Sequence, residues 1–189
     1  MNRIHVLSLP GVGPLRIVKN RRARRLSIQL RPFEGIRVVV PRGMSMAAAE
    51  CAVRGRAAWI LRQSARVRLR EAARTALGPP TAELDRERAR IILTTRIREL
   101  ALRYDFEFDR ISIRRQRSRW GSCSARNHIS LNIQLILLPE RLRDYVLLHE
   151  LVHTRVKHHG PLFWEELKQV APDARGLRTE LAGIALQPP

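Results

Sequence analysis

The stretch His149-Glu150-Leu151-Val152-His153 constrains this chain more than any other. On a helix, two imidazoles four residues apart stack one turn above each other on one face. Neutral imidazoles at that spacing suit one Zn2+, and a Glu between them reaches the metal's water. The flanks agree with a helix. Pro139 suits a first helical position, because its missing N–H would go unbonded there anyway. From Leu142 through Tyr145, Val146, His149 and His153 to Val156, apolar and histidine positions recur at three- and four-residue steps. Leu148, Leu151 and Val152 widen the buried face, so a metal site would lie at the inner edge of a packed helix.

A catalytic zinc site needs a third protein ligand and one open position. On a straight helix, at about 100° per residue, neither His158 nor His159 lines up with the first two. The chain must turn, and Gly160-Pro161 marks the turn. His159 stands ten residues beyond His149, the offset of the last His in H-E-x-x-H-x-x-G-x-x-H, although Val156 occupies that pattern's Gly position. His159 is therefore the expected third ligand and His158 the fallback. The competing reading is a helix with a surface Glu and two satisfied core histidines.

With 189 residues and 44% hydrophobic content, the chain builds one sizeable domain or two small ones. No apolar run approaches the roughly 20 residues of a membrane span. The first residues lack the apolar segment and small-residue cleavage site of a signal peptide. A cytoplasmic location is expected, with no membrane partner and with Cys51 and Cys123 as reduced thiols. The net charge of +19 attracts phosphate polymers. Yet 33 of the 36 basic residues are Arg, spread along the chain, a bias that genome composition also produces.

Residues 1–42 alternate as strands and turns, with strands at 4–7, 15–18, 24–30 and 36–40 forming a small antiparallel sheet. Lys19 to Arg25 is a basic cluster at one of its turns, read as a solvated loop ahead of a phosphate contact. Ser45 caps the next helix, whose expected buried stripe is Ala48, Val53, Ala57, Ile60 and Leu61, with Trp59 packing beside it. A linker at Gly78-Pro79-Pro80-Thr81 divides the chain into 1–77, a sheet plus helix, and 82–189, the metal-binding domain. In the second part a helix over 82–104 carries Ala89, Ile92, Leu93, Ile97 and Leu100 inward. Strands follow at 111–113, 120–123 and 129–132, with a hairpin turn at 124–127. Beyond the metal helix, Leu162, Phe163, Leu167 and Val170 suggest a short closing helix, and 180–186 a last turn.

Arg119-Trp120-Gly121-Ser122-Cys123, Ile129-Ser130-Leu131-Asn132, His149 to His153 and His159-Gly160-Pro161-Leu162-Phe163-Trp164 together resemble the YgjP-like metallopeptidase family, related to SprT-like and WLM zincin-type metalloproteases. The N-terminal strands, with Arg24-Arg25-Leu26-Ser27-Ile28, and the helix containing Ala58-Trp59-Ile60 fit as well. Gly160 stands where the relatives often have Ser. The resemblance implies an α+β fold with a zincin-like core, the H-E-x-x-H helix lying under a small antiparallel sheet whose edge strand lines a cleft. It also implies His149, His153 and His159 as zinc ligands and Glu150 as general base.

Three functions compete on these residues. The first is a zinc-dependent metallopeptidase acting on peptides or proteins, with Glu150 moving the proton. Its oxyanion stabiliser would come from Arg117, Arg119 or His128. The second keeps the metal and uses arginines to hold a nucleotide, hydrolysing a phosphoanhydride. The third is a nucleic-acid-associated protease module of SprT-like type, docked through basic faces.

Overall fold

The computed structural model describes residues 5–188 and resolves into two compact units, residues 1–72 and 73–189. Ile4, expected to open the first strand, lies outside the described residues.

In the first unit β1 (His5–Leu9) and β2 (Gly13–Asn20) form one hairpin, and β3 (Ser27–Arg31) and β4 (Gly35–Pro41) form another. The order is β1-β2-β4-β3, and β2 runs parallel to β4, so the sheet is mixed where an antiparallel one was expected. Alternation dictates which face each side chain takes but not which hairpin edge meets which. Leu7, Leu9, Leu15, Ile17, Ile36, Val38 and Val40 make the inner face. Helices α1 (Met46–Arg54) and α2 (Ala57–Ala76) follow, and Ser45 caps α1 by accepting from the Ala48 N–H at 3.1 Å. The single helix expected here is broken at Gly55-Arg56. That break resets the helical phase. Ala49, Val53 and Ile60 are buried, whereas Ala48, Leu61 and Trp59 are exposed.

In the second unit Asp85 caps α3 (Arg86–Arg103), accepting from the N–H groups of Glu87 and Arg88 at 2.8 and 3.2 Å. Strands β5 (Arg110–Arg114), β6 (Gly121–Cys123) and β7 (His128–Asn132) form a sheet ordered β5-β7-β6. The hairpin β6–β7 is antiparallel, but β5 and β7 are parallel, so this sheet too is mixed. The Arg115–Trp120 segment carries the chain to the far edge before the hairpin returns β7 to the middle. A 3-10 helix (Ile133–Leu137) leads to α4 (Glu140–Arg155), then α5 (Pro161–Val170) and α6 (Ala174–Ala182). Pro139 is the N-cap of α4, one position earlier than expected. The last helix begins at Ala174, ahead of the expected 180, because Asp173 caps it and Gly183 ends it.

Leu142, Tyr145, Val146, Leu151 and Val152 of α4 enter one core with Leu93, Ile97 and Leu100 of α3 and Ile129 and Leu131 of β7. Each such side chain contributes about 1.5–3 kcal/mol when fully buried. Arg96 ties α3 to α4 through two hydrogen bonds to Asp144, at 3.0 and 2.6 Å. The expected linker is anchored by Arg74, 1% exposed, which donates to Gln134 Oε1 and to the carbonyls of Gly78 and Pro79. Among the described residues no helix is long and apolar enough to cross a membrane, and both cysteines are free.

Candidate metal centre

Helix α4 ends because Val156 adopts an extended backbone, φ −120° and ψ 106°. The chain leaves the helix there, and Gly160-Pro161 starts α5 with Pro161 in its first turn. The short segment between carries His159 back over the face that bears His149 and His153. Its Nε2 lies 3.0 Å from His149 Nε2 and 3.1 Å from His153 Nε2. The three histidines are brought together with ligand atoms within 4.8 Å of one another, while His158 is exposed and outside this group.

A hydrogen bond on its other ring nitrogen orients His153 toward this group. His153 Nδ1 sits 3.0 Å from the Val156 carbonyl, which only accepts. Nδ1 therefore carries the proton, and the neutral ring turns the lone pair of Nε2 inward. One proton on His159 Nε2 satisfies one of its two contacts and leaves the other as facing lone pairs. A cation satisfies all three. Nitrogens about 2.0–2.1 Å from a tetrahedral ion stand roughly 3.3 Å apart, close to the 3.0 and 3.1 Å that separate His159 from His149 and His153. The donor set thus fits a divalent ion of the zinc type.

Charge follows the same logic. Burial, with repulsion from His153, His159 and Arg178, pulls His149 down to about 3. His153 is lowered as well, mainly by burial. Both rings are neutral near pH 7, the state in which imidazole binds metal. Behind them the Phe163 ring, fully buried, packs 4.8, 4.5 and 4.6 Å from the rings of His149, His153 and His159. Tyr145 lies one turn before His149, with ring centroids 6.1 Å apart.

Glu150 points to a different wall. It is 5% exposed, and its Oε2 is buried with no hydrogen-bond partner. Burial raises its carboxyl to about 8, against a smaller opposing pull from Arg119. Strand β6 forms the wall: a Cβ on Gly121 would stand 2.7 Å from Glu150 Cγ and Oε1. Asn132 keeps that wall in place, donating from Nδ2 to the carbonyls of Gln116 and Arg119 at 2.8 and 3.0 Å. Lys157 bonds the Ser124 carbonyl at 3.2 Å and Asn127 Oδ1, pinning the segment after α4 to the β6–β7 turn.

The expected oxyanion candidates separate. His128 pairs with Asp109 at 2.5 Å, accepts from Arg110 Nε at 3.2 Å and is not part of the three-histidine group. Arg119 acts electrostatically on Glu150, and Arg117 is exposed. Sequence reasoning did not single out Gly121, Val156, Asn132 or Arg178 for the site. Only Gly121 left a signal, since a glycine inside a strand marks a close backbone approach.

The family profile described as YgjP-like, metallopeptidase domain, matches residues 79–183. No curated protein matches the chain. The crystal structure of the metallopeptidase zymogen of Pyrococcus abyssi abylysin is similar over 47% of this chain and 90% of its own, with 21% identity and a TM-score of 0.43. That of Methanocaldococcus jannaschii jannalysin, also a metallopeptidase zymogen, is similar over 47% and 92%, with 23% identity and a TM-score of 0.41.

Proposed function

Because the chain belongs to the YgjP-like metallopeptidase family, we propose that it is a zinc-dependent peptide hydrolase in which His149, His153 and His159 hold the ion and Glu150 is the general base. The observation that carries this reading is the convergence of three inward imidazole nitrogens beside a buried carboxyl. A divalent ion held there supplies an acidified water, with a pKa of about 7, and polarises the scissile carbonyl.

The remaining work falls to side chains. Glu150 takes the proton of the attacking water and returns it to the leaving amine. Its carboxyl, kept near 8 by burial, falls once positive charge is placed beside it, which readies it as a base near neutrality. The Val156 carbonyl orients His153, and Phe163 keeps water from the backs of the three rings. Strand β6 is an edge of its sheet and lies against Glu150, so an extended peptide can add along it.

A second reading keeps these roles and changes the substrate. Arg119 acts on Glu150 and Arg178 on His149, so two guanidinium charges reach the site and suit a nucleoside polyphosphate. Zinc analysis of the purified protein, paired with release of peptides from casein and of phosphate or pyrophosphate from nucleotides, tests both. Chelator-sensitive casein cleavage supports the peptidase. Nucleotide hydrolysis without peptide cleavage selects the second reading, and neither activity in a zinc-loaded protein overturns both.

A further inference from the structure

The positive charge of this protein is distributed unevenly. Residues 1–72 hold 16 of the 36 Lys and Arg but only three of the 17 Asp and Glu, a net +13 of the chain's +19. Residues 73–189 set 20 basic residues against 14 acidic ones. A genome-wide bias toward arginine acts on both units alike and does not remove acids from one of them. The three carboxylates of the first unit are already engaged. Glu34 pairs with Arg31 at 3.3 Å, Glu50 with His5 at 2.7 Å, and Glu71 accepts the Phe33 N–H at 2.5 Å.

Part of this excess gathers at one place. Arg21, Arg22, Arg24 and Arg25 are all exposed on the β2–β3 loop, whose turn is fixed by Asn20 accepting the Arg22 N–H at 2.9 Å. The loop runs directly into Leu26. With Ile28, Arg56 and Trp59, Leu26 lines a hollow of about 300 Å³ at β3, an edge strand. Trp59 is 41% exposed, with Arg56 beside it on the same hollow. An exposed indole costs solvation, and a flat partner recovers it by stacking.

We propose that residues 1–72 form a binding site for single-stranded nucleic acid, with backbone phosphates on Arg21, Arg22, Arg24 and Arg25 and an unpaired base stacked on Trp59. Arginine's planar fork matches phosphate oxygens in pairs, and a cationic track beside an aromatic platform is how unpaired strands are held without sequence preference. A duplex keeps its base faces inside and cannot offer one to Trp59. An anionic membrane would use the arginines but has no flat ring for the hollow.

The test uses the full chain and a short fluorescein-labelled oligothymidylate, read by anisotropy over a salt series. Binding should weaken with salt. Replacing Arg21, Arg22, Arg24 and Arg25 by Ala should lower the log–log salt slope by about 3, at roughly 0.7 per phosphate contact, whereas Lys at the same four positions should retain it. Trp59→Leu should weaken binding about 10-fold with the slope unchanged, and Trp59→Phe should restore most of it. Circular dichroism and metal content check each variant, and if Trp59→Leu does not fold, the arginine series and Trp59→Phe decide. An unchanged slope in the Ala variant, tighter binding to a duplex than to the single strand, or binding confined to phosphatidylserine vesicles would each overturn the proposal.

Discussion

Gly121 and Glu150 meet so closely that no side chain fits between them: a Cβ on Gly121 would stand 2.7 Å from both Cγ and Oε1 of the glutamate. The backbone of β6 therefore sets where the carboxylate sits. Gly121→Ala should displace it and lower kcat by about 10- to 100-fold, the scale of a misplacement near 1 Å. Zinc stoichiometry should stay unchanged. An unaltered kcat would remove Gly121 from any positioning role.

Glu150→Gln tests the base itself. Gln keeps the shape and can still bond, so fold and zinc content should persist while turnover falls by about two to four orders of magnitude. Steady-state kinetics with metal analysis on one preparation separates the outcomes. Loss of zinc along with activity would put Glu150 among the ligands, and full activity would leave the motif structural.

The proposed ligand set predicts an order of zinc affinities. His149→Ala combined with His153→Ala should abolish stoichiometric zinc. His159→Ala should weaken binding strongly, while His158→Ala, changing an exposed residue outside the group, should leave it near that of the unaltered protein. Competition against a chromogenic chelator measures the series. The opposite order for His158 and His159 would move the third ligand.

The metal-free protein should be most stable near pH 6.5, with stability falling on both sides. Glu150 rises from an ordinary 4.5 to about 8 on folding, so its stabilising share is complete below pH 4.5 and is lost as pH climbs toward 8. His149 falls from 6.5 to about 3, so its share is complete above pH 6.5 and is lost as pH drops toward 3. Between the two ordinary values Glu150 and His149 oppose each other, and His153, also lowered from 6.5, makes stability fall as pH drops below 6.5. Each group changes stability by at most about 1.4 kcal/mol per pH unit. Thermal unfolding of chelator-treated protein across pH measures this, and added zinc should flatten the alkaline limb by stabilising the Glu150 carboxylate. A single maximum at alkaline pH without metal would contradict the burial of Glu150.

Local periodicity alone determined several features here. His149 and His153 share a face because four residues make about one helical turn, and the surrounding leucines and valines say which way that face points. Ser45 reads as a cap because its hydroxyl reaches an N–H three residues on, and 124–127 reads as a turn, where Asn127 adopts φ 57°. Tertiary structure decided what depends on groups far apart in sequence. Whether His158 or His159 returns to the helix depends on the extended Val156, a β-branched residue in an otherwise helical pattern that carries no local mark of a helix end. The parallel pairs β2–β4 and β5–β7 depend on which hairpin edges meet, and alternation is silent on that because either edge buries the same side chains. The raised carboxyl of Glu150 exists only because β6 and the core exclude water from it, and desolvation is set by the assembled surroundings of a residue, not by its neighbours in the chain.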